Sequence, residues 1–267
     1  MSGRRVEECL DLDRHPLDRL DGTEGKRLVE ECRVALQAEG MFDLPGLVHA
    51  DALAQIMAEV APVMASSAFT HARRHNIYFR PTVEGLPADH PALAPFETIN
   101  HTVCADQIPG SLLLAIYEWP PLARFLAAAM ERQTLHPMAD PLARANVMAY
   151  RAGEALNWHF DRSEFTTTLL LQAPDAGGEF EYRRDLRSET DPNYEGVARL
   201  VQGQDPGIQV RPLAPGTLNV FRGRNTAHRV TPVRGPRERV IAVFSYYDRP
   251  GVMFTPEERV GFYGRAA

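Results

Sequence analysis

The hydrophobic pattern of this chain changes its period near residue 146, and that change restricts the folds open to the chain. After this point the apolar residues fall into short runs separated by Gly, Pro and Asp turns. The runs are NVMAYRAG, TTTLLLQAP, GGEFEYRR, GIQVRPLAPGTLNVFRG, AHRVTPV and RVIAVFSYYD. Short runs of this kind are typical of the strands of an antiparallel sandwich or barrel. The second half is therefore predicted to be mainly β.

The first part of the chain has a helical period instead. GKRLVEECRVALQAEG carries apolar residues at Leu28, Cys32 and Leu36. It ends at Gly40, a residue type common just after a helix. DALAQIMAEVAPVM carries a second apolar stripe, with Asp51 as its predicted N-cap. The apolar segment SLLLAIYEWPPLARFLAAAM is broken by charges and prolines, so we expect two short helices there and no membrane span.

These patterns fit a single domain in which helices pack around a β core. Residues 1–267 form that domain, with a largely helical part over about 1–145 and core strands over about 146–250. The polar segment DLRSETDPNYEGVARLVQGQDPG lies between two predicted strands. We expect it to be a surface excursion or a lid, with a short helix near residues 195–201.

The composition of the chain indicates which kinds of molecule it is expected to bind. The net charge is −6 and the chain has no long basic block, which argues against a nucleic-acid or membrane surface and favours a small-molecule partner. Cys9, Cys32 and Cys104 are too far apart for a disulfide framework or a CxxC zinc site. The N-terminal residues lack the apolar segment of a secretion signal, so a cytoplasmic location is expected. No feature predicts an oligomeric state.

The stretch NWHFDRSEF contains a pattern typical of metal ligands. In an extended chain His159 and Asp161 project on one face, and Trp158 and Phe160 on the other. The segment RGRNTAHRVTPV offers His228 as a third ligand. Two histidines and one carboxylate form the facial triad of non-haem Fe(II) oxygenases, which leaves adjacent metal positions open. An H-x-D pair alone is a weak signal, and a zinc hydrolase could use the same three ligands.

Two arginines follow His228 at the start of an apolar strand, Arg237 and Arg239. An arginine buried in such a strand is costly without a carboxylate partner. The carboxylate of 2-oxoglutarate would be such a partner, whereas a hydrolase has no need of one. This pair therefore favours an oxygenase.

Several segments together resemble a known family. They are HNIYFRP, ADQIPGSLL, ADPL, WHFD, GGEFEY, FRGRNTAHRVTPV and FYGR. The chain resembles, over residues 75–265, the carrier-free amino-acid radical halogenases and their hydroxylating relatives among the 2-oxoglutarate/Fe(II)-dependent oxygenases. This resemblance implies a double-stranded β-helix core (jelly roll, cupin-like) with flanking helices.

The resemblance also implies roles for single residues. The ligands of Fe(II) would be His159, Asp161 and His228. Arg239 would form the salt bridge to the distal carboxylate of 2-oxoglutarate, with Arg237 as the competing choice. Thr168 and Tyr150 are candidates for hydrogen bonds to this cosubstrate, although both could be ordinary strand residues. O2 would be the second cosubstrate.

Asp161 marks a departure from the halogenating members of the resembled family. Those members have Gly or Ala at this position, and the vacated metal position receives chloride. Hydroxylation is therefore the expected outcome. Halogenase-like activity, a zinc-dependent hydrolase and a non-catalytic metal-dependent sensor are the alternatives.

The substrate is the least constrained part of the prediction. The resemblance implies a free amino acid or a derivative, and the candidate contacts are His101, Asp140, Arg162 and Glu164. The residues after Asp161, which begin with Arg162, and His101 do not match a long cationic side chain, although the carboxylates of Glu164 and Asp140 would allow one. We therefore expect an acidic or neutral amino acid, or a derivative with an extra anionic group, in preference to lysine.

One further motif, HARRH, spaces His71 and His75 as two metal ligands on a helix would be spaced. No third ligand accompanies them, and the segment from His75 onward is predicted to be extended. No metal role is expected for this motif.

Overall fold

The structure is a computed structural model that describes residues 4–267. In it, helices surround a seven-stranded and a four-stranded β-sheet. The α-helices are α1 Thr23–Ala38, α2 Ala50–Ser67, α3 Leu112–Glu118, α4 Pro120–Ala129, α5 Tyr194–Val201 and α6 Pro256–Tyr263. The strands are β1 Met41–Leu44, β2 Phe69–His75, β3 Phe96–Cys104, β4 His136–Pro137, β5 Ala145–Tyr150, β6 Leu156–His159, β7 Thr166–Gln172, β8 Ala176–Gly177, β9 Phe180–Arg183, β10 Gln209–Arg211, β11 Leu218–Phe221, β12 Ala227–Val230, β13 Val233–Arg234, β14 Arg239–Phe244 and β15 Tyr246–Tyr247. Short 3₁₀ helices cover Val6–Glu8, Pro91–Leu93 and Ala105–Gln107. Two further sheets have two strands each, β13-β8 and β15-β4.

The main sheet has seven strands in the order β1-β11-β7-β14-β5-β3-β2, and its neighbouring strands pair antiparallel. Alternation along each strand divides its side chains between two faces. On β7, Leu169 and Leu171 pack in the main core with the helices, whereas Leu170 packs with Tyr150 and Ile241 on the other face. We call this second face the inner face.

A smaller sheet, β10-β9-β12-β6, covers the inner face of the main sheet. The ring centroids of Phe180 and Phe221 are 5.1 Å apart across the two sheets. The Asn157 N–H on β6 donates to the Thr98 hydroxyl on β3, at 3.1 Å. Two facing antiparallel sheets with helices on the outside agree with the predicted jelly-roll class.

The helices of the first part follow the predicted pattern with one correction. Gly40 follows α1 with φ 77°, a left-handed conformation that suits glycine, as predicted. Asp51 is not the N-cap of α2, because the cap is His49 and Asp51 already lies in the first helical turn. α3 and α4 are the two short helices expected of the apolar segment. Within residues 4–267 no single helix could span a membrane, and this pair passes such a test only together, with a bend of 51°.

The first 145 residues are less helical than predicted, because they also supply β1, β2 and β3 to the main sheet. The sequence of β2, FTHARRH, has no alternation of apolar and polar residues that would reveal a strand. Its pairing with β3 supplies the stabilisation that its own composition does not. His71 and His75 therefore lie on a strand and not on a helix.

The polar insertion contains the predicted short helix, α5. Its buried residues Val197 and Leu200 pack with Trp158 and Phe160 on the outer face of the smaller sheet. The insertion therefore packs against the outer side of β6, the strand that ends at His159. The prediction that it forms a lid is wrong.

Candidate metal centre

Two histidines meet on the inner side of the smaller sheet. His159 ends β6 and His228 is the second residue of β12, and the strands pair so that the two residues lie opposite each other. Their ring centroids are 4.1 Å apart. Trp158, the neighbour of His159, points to the outer face, as predicted from strand alternation.

Each imidazole is oriented by a hydrogen bond at Nδ1. The His159 Nδ1 lies 2.8 Å from the carbonyl oxygen of Asn157, and the His228 Nδ1 lies 2.9 Å from that of Thr226. A carbonyl oxygen only accepts, so Nδ1 is the donor in both rings. Nε2 of each neutral ring then offers its lone pair, which is the usual arrangement of a metal-binding histidine.

Asp161 supplies a carboxylate from the loop after β6. Its Oδ1 lies 3.5 Å from Nε2 of His159 and 3.5 Å from Nε2 of His228. Its Oδ2 accepts a hydrogen bond of 2.5 Å from the hydroxyl of Thr166. One carboxylate oxygen therefore faces the imidazoles while the other is held by the protein.

The loop after β11 packs closely against Asp161. The Asp161 N–H donates to the carbonyl oxygen of Gly223 at 3.0 Å. A Cβ added to Gly223 would lie 2.6 Å from Cγ and 2.8 Å from Cβ of Asp161, too close for any side chain. Glycine at position 223 is therefore required for this position of the carboxylate.

The electrostatics of the three groups favour a cation between them. Burial raises the pKa of Asp161, but His228 and His159 outweigh burial and hold that pKa well below its usual range. Burial, followed by repulsion from His228, lowers the pKa of His159. Burial lowers the pKa of His228, but the attraction of Asp161 prevails and raises it. An ionised carboxylate and a neutral His159 are the metal-binding forms of these groups.

The three candidate donor atoms lie within 4.8 Å of one another. Two nitrogens and one oxygen converging on one point fit an iron facial triad, and zinc accepts the same donors. The structure thus brings together His159, Asp161 and His228, the three residues predicted to bind metal.

A buried arginine lies on the inner face of the main sheet. Arg239 begins β14, is 2% exposed and donates from Nε to the carbonyl oxygen of Gly178 at 3.1 Å. Its Nη1 is buried with no hydrogen-bond partner among residues 4–267. Burial lowers its pKa to about 10, against an opposing effect of Tyr150. A buried cation with an unused donor fits a carboxylate ligand such as 2-oxoglutarate.

The other cosubstrate candidates separate into two groups. Tyr150 lies opposite Arg239 in the strand pairing, and Thr168 lies on the inner face of β7; both are buried. Arg237 is exposed in the turn before β14, where its backbone N–H donates to Asp175 at 3.1 Å. Tyr150 therefore lies directly opposite Arg239, Thr168 lies on the same face opposite Val243, and Arg237 lies outside this face.

His101 lies on the opposite face of the main sheet. It pairs with Ala149, whose side chain belongs to the core under the helices. Its Nδ1 is 3.0 Å from the Thr70 hydroxyl, and its Nε2 is 2.9 Å from the Glu154 carboxylate. The prediction that His101 contacts substrate is wrong, because the strand directs this side chain away from the triad.

Asp140 is also unavailable to a substrate. It is fully buried, and its Oδ2 accepts from Nε of Arg259 at 2.8 Å and from the Phe254 N–H at 3.0 Å. Its Oδ1 accepts from the N–H groups of Leu142 and Ala143. Asp140 therefore caps a turn, and the prediction that it contacts substrate is wrong.

Arg162 and Glu164 are exposed on the loop that follows Asp161. Arg162 forms an ion pair of 2.7 Å with Glu258 on α6, and Glu164 pairs with Arg132. Both residues remain predicted substrate contacts, and each already forms an ion pair with another side chain of the protein.

Reasoning from the sequence missed two residues that position Asp161. The sequence places Thr166 and Gly223 only at the ends of two predicted strand runs, TTTLLLQAP and GIQVRPLAPGTLNVFRG. A hydroxyl residue five positions after a predicted ligand carboxylate was the available signal for Thr166. Nothing in the sequence alone indicated the contact of Gly223.

The fold occurs in other proteins of known structure. One is the epimerase SnoN from nogalamycin biosynthesis, solved with Fe3+, α-ketoglutarate and nogalamycin RO (TM-score 0.58, 14% identity, 84% of this chain and 84% of that chain). A second is a prolyl-4-hydroxylase from Pseudomonas putida, with a TM-score of 0.52 and 15% identity over 83% of this chain and 99% of that chain. A third is an oxidoreductase of the 2OG-Fe(II) oxygenase family from Burkholderia pseudomallei, with a TM-score of 0.50 and 16% identity over 84% of this chain and 92% of that chain. At these identities the comparison establishes the fold, and the jelly-roll prediction is confirmed.

No curated protein matches the chain. A family model described as halogenase D matches residues 24–252, which include the triad and Arg239. The chain therefore belongs to the halogenase D family.

Proposed function

We propose that this chain is a dioxygenase that uses Fe(II) and 2-oxoglutarate to hydroxylate an unactivated C–H bond of a small polar substrate. The observation that carries the proposal is Arg239, a buried guanidinium with an unused donor on the inner face that the triad also borders. When bound, the iron and the cosubstrate supply the oxygen chemistry, in which 2-oxoglutarate loses CO2 and becomes succinate.

The residues of the chain bind and orient these groups. His159 and His228 present Nε2, and Asp161 presents Oδ1 because Thr166 holds the other oxygen. Arg239 offers Nη1 to the distal carboxylate of 2-oxoglutarate. A zinc hydrolase with the same triad has no use for that anchor, and this difference favours the oxygenase.

Aromatic rings reduce the access of water to the centre. The ring centroids of Phe221 and Phe180 lie 4.9 and 5.8 Å from that of His228. Phe79 lies edge-on to His159 at 6.5 Å. A charge pair between Arg239 and a carboxylate is stronger in such surroundings than in water.

The presence of Asp161 favours hydroxylation over halogenation. Halogenating members of the family it resembles have a small residue there, which leaves a metal position for chloride. In this chain the hydroxyl of Thr166 and the close backbone of Gly223 hold a carboxylate in that place. Halogenase-like activity is the alternative that the family name favours.

The proposed substrate is a free amino acid or a derivative, acidic or neutral and not lysine, in a cytoplasmic enzyme. The test is a panel of free amino acids, N-acylated amino acids and nucleotides, supplied with Fe(II), 2-oxoglutarate and O2. We expect succinate release coupled to a mass gain of one oxygen for an anionic or neutral amino acid. Preferential oxidation of lysine would contradict the substrate class, and coupled oxidation of a nucleotide alone would exclude amino acids.

The reaction outcome is tested by Asp161→Gly with added chloride. Opening a metal position should remove most hydroxylation, and a mass gain of chlorine shows whether the alternative outcome becomes accessible. Asp175→Gly, at an aspartate on the surface turn near Arg237, is the control and should leave hydroxylation unchanged. Full hydroxylation and full iron affinity in Asp161→Gly would exclude Asp161 as a ligand.

A further inference from the structure

The HARRH motif forms part of the wall beside the metal centre. Alternation along β2 places His71, Arg73 and His75 on one face. Arg73 pairs with Thr98, whose hydroxyl accepts the N–H of Asn157 on the strand that carries His159. This face of β2 therefore continues the inner face of the main sheet toward the triad.

Arg73 and its neighbour Arg74 have different surroundings. Arg74 points to the outer face, where its cross-strand neighbour is the carboxylate residue Glu97. Arg73 lies opposite an uncharged threonine, and within residues 4–267 no carboxylate pairs with it. An exposed guanidinium without an acid partner, on the sheet face that also borders the metal centre, is available to an anionic ligand.

An aromatic ring lies between Arg73 and the metal ligands. The Phe79 ring stacks on His75 at 4.3 Å and lies edge-on to His159 at 6.5 Å, between ring centroids. The guanidinium carbon of Arg73 lies over the same ring, 4.8 Å from its centroid. The Phe79 ring therefore contacts Arg73 on one side and His159 on another.

The turn that carries Phe79 is built to expose this ring. Phe79 is 39% exposed and has φ 54°, a conformation that is costly for a bulky residue. The buried Asn76 side chain holds the turn, because it accepts from the N–H groups of Tyr78 and Arg80 and donates to the Arg80 carbonyl oxygen. An exposed phenylalanine in a strained turn beside a metal centre has no role in the core.

We propose that Arg73 and Phe79 form a substrate subsite that selects an anionic substrate. Arg73 binds a carboxylate or phosphate group, Phe79 contacts the flat or apolar part next to it, and the reacting carbon lies toward His159. This inference rests on the proposed function and narrows its substrate to molecules with an anionic group a short distance from the carbon that is oxidised.

The test is a calorimetric titration of anaerobic protein loaded with Fe(II) and saturating 2-oxoglutarate, which blocks the Arg239 site. The probes are phenyl phosphate, phenylacetate and inorganic phosphate. We expect Arg73→Gln to weaken binding of the aromatic probes at least tenfold, and the matched Arg74→Gln to change it less than twofold. Phe79→Ala should weaken binding of the two aromatic probes but not of inorganic phosphate.

The outcomes separate the two ligand chemistries and the two proposals. Tighter binding of phenyl phosphate than of phenylacetate identifies a phosphate group, and the reverse order identifies a carboxylate. Equal losses in Arg73→Gln and Arg74→Gln, or no binding of any probe, would overturn the subsite. The visible band of the 2-oxoglutarate complex, recorded on the same samples, tests the proposed function separately: a normal band with unaltered probe binding in Arg73→Gln refutes the subsite alone.

Discussion

The buried Arg239 differs from two partly buried arginines in how its charge is compensated. Arg259 pairs with the buried Asp140, and Arg211 pairs with Asp43. Arg239 has one hydrogen bond to a carbonyl oxygen and, within residues 4–267, no acid partner. A buried charge without a partner is destabilising, so its presence is best explained by a ligand that compensates it.

Replacing Arg239 should therefore separate ligand binding from stability. Arg239→Met should weaken 2-oxoglutarate binding roughly 30-fold or more, because a charge-assisted bond inside the protein is lost. The melting temperature without 2-oxoglutarate should not fall, since an uncompensated charge is removed. The exposed Arg237→Met is the control and should bind normally. A larger loss in Arg237→Met would move the anchor to that residue.

Thr166 is expected to act through Asp161. Thr166→Val removes the 2.5 Å hydrogen bond to Oδ2 and should weaken Fe(II) affinity about tenfold, in the range typical of groups that orient metal ligands. Thr166→Ser keeps the hydroxyl and should restore affinity to within about twofold. Anaerobic metal titration measures both. Equal affinities of the valine and serine variants would show that the hydroxyl does not orient the carboxylate.

At the scale of elements, the strands after residue 146 were predictable and those before it were not. TTTLLLQAP and RVIAVFSYYD have the composition of buried strands and form β7 and β14. FTHARRH has exposed basic residues on both faces, and only its pairing with β3 makes it a strand. Local composition cannot reveal an element that long-range pairing stabilises.

The same distinction explains which site residues were predictable. His159 and Asp161 lie close in sequence, so strand alternation alone places them together. The direction of His101 depends on the register between β3 and β5, and the burial of Asp140 depends on Arg259 from the C-terminal helix. Both depend on contacts between residues far apart in the sequence, which a local sequence pattern cannot predict.

The helix α5 is predicted to stabilise the sheet that carries the histidines. Val197 is fully buried against the outer face of that sheet, so Val197→Ala should lower the free energy of unfolding by about 2 kcal/mol. Arg199→Ala, at an exposed position on the same helix, should change it by less than about 0.5 kcal/mol. Denaturant unfolding gives both values. Equal effects of the two substitutions would mean that α5 does not pack as described.

At the scale of the whole molecule, the candidate centre needs both sheets. The smaller sheet supplies His159 and His228, and the main sheet supplies Arg239 and the strand that follows Asp161. Helices α1 to α4 cover the outer face of the main sheet, α5 covers the outer face of the smaller sheet, and the facing inner sides are left to the candidate site. The jelly roll thereby places the candidate metal triad and the proposed carboxylate anchor Arg239 on facing sheets, although they come from distant parts of the chain.

The most direct measurement is the visible absorption spectrum of anaerobic Fe(II)-loaded protein as 2-oxoglutarate is added. Chelation of the cosubstrate by iron with open adjacent positions should produce a charge-transfer band, and His228→Ala should abolish it. His101→Gln, which changes a buried histidine on the other face of the main sheet, should keep it. A wild-type protein without the band, or a band that persists unchanged in His228→Ala, would contradict the assignment of the centre.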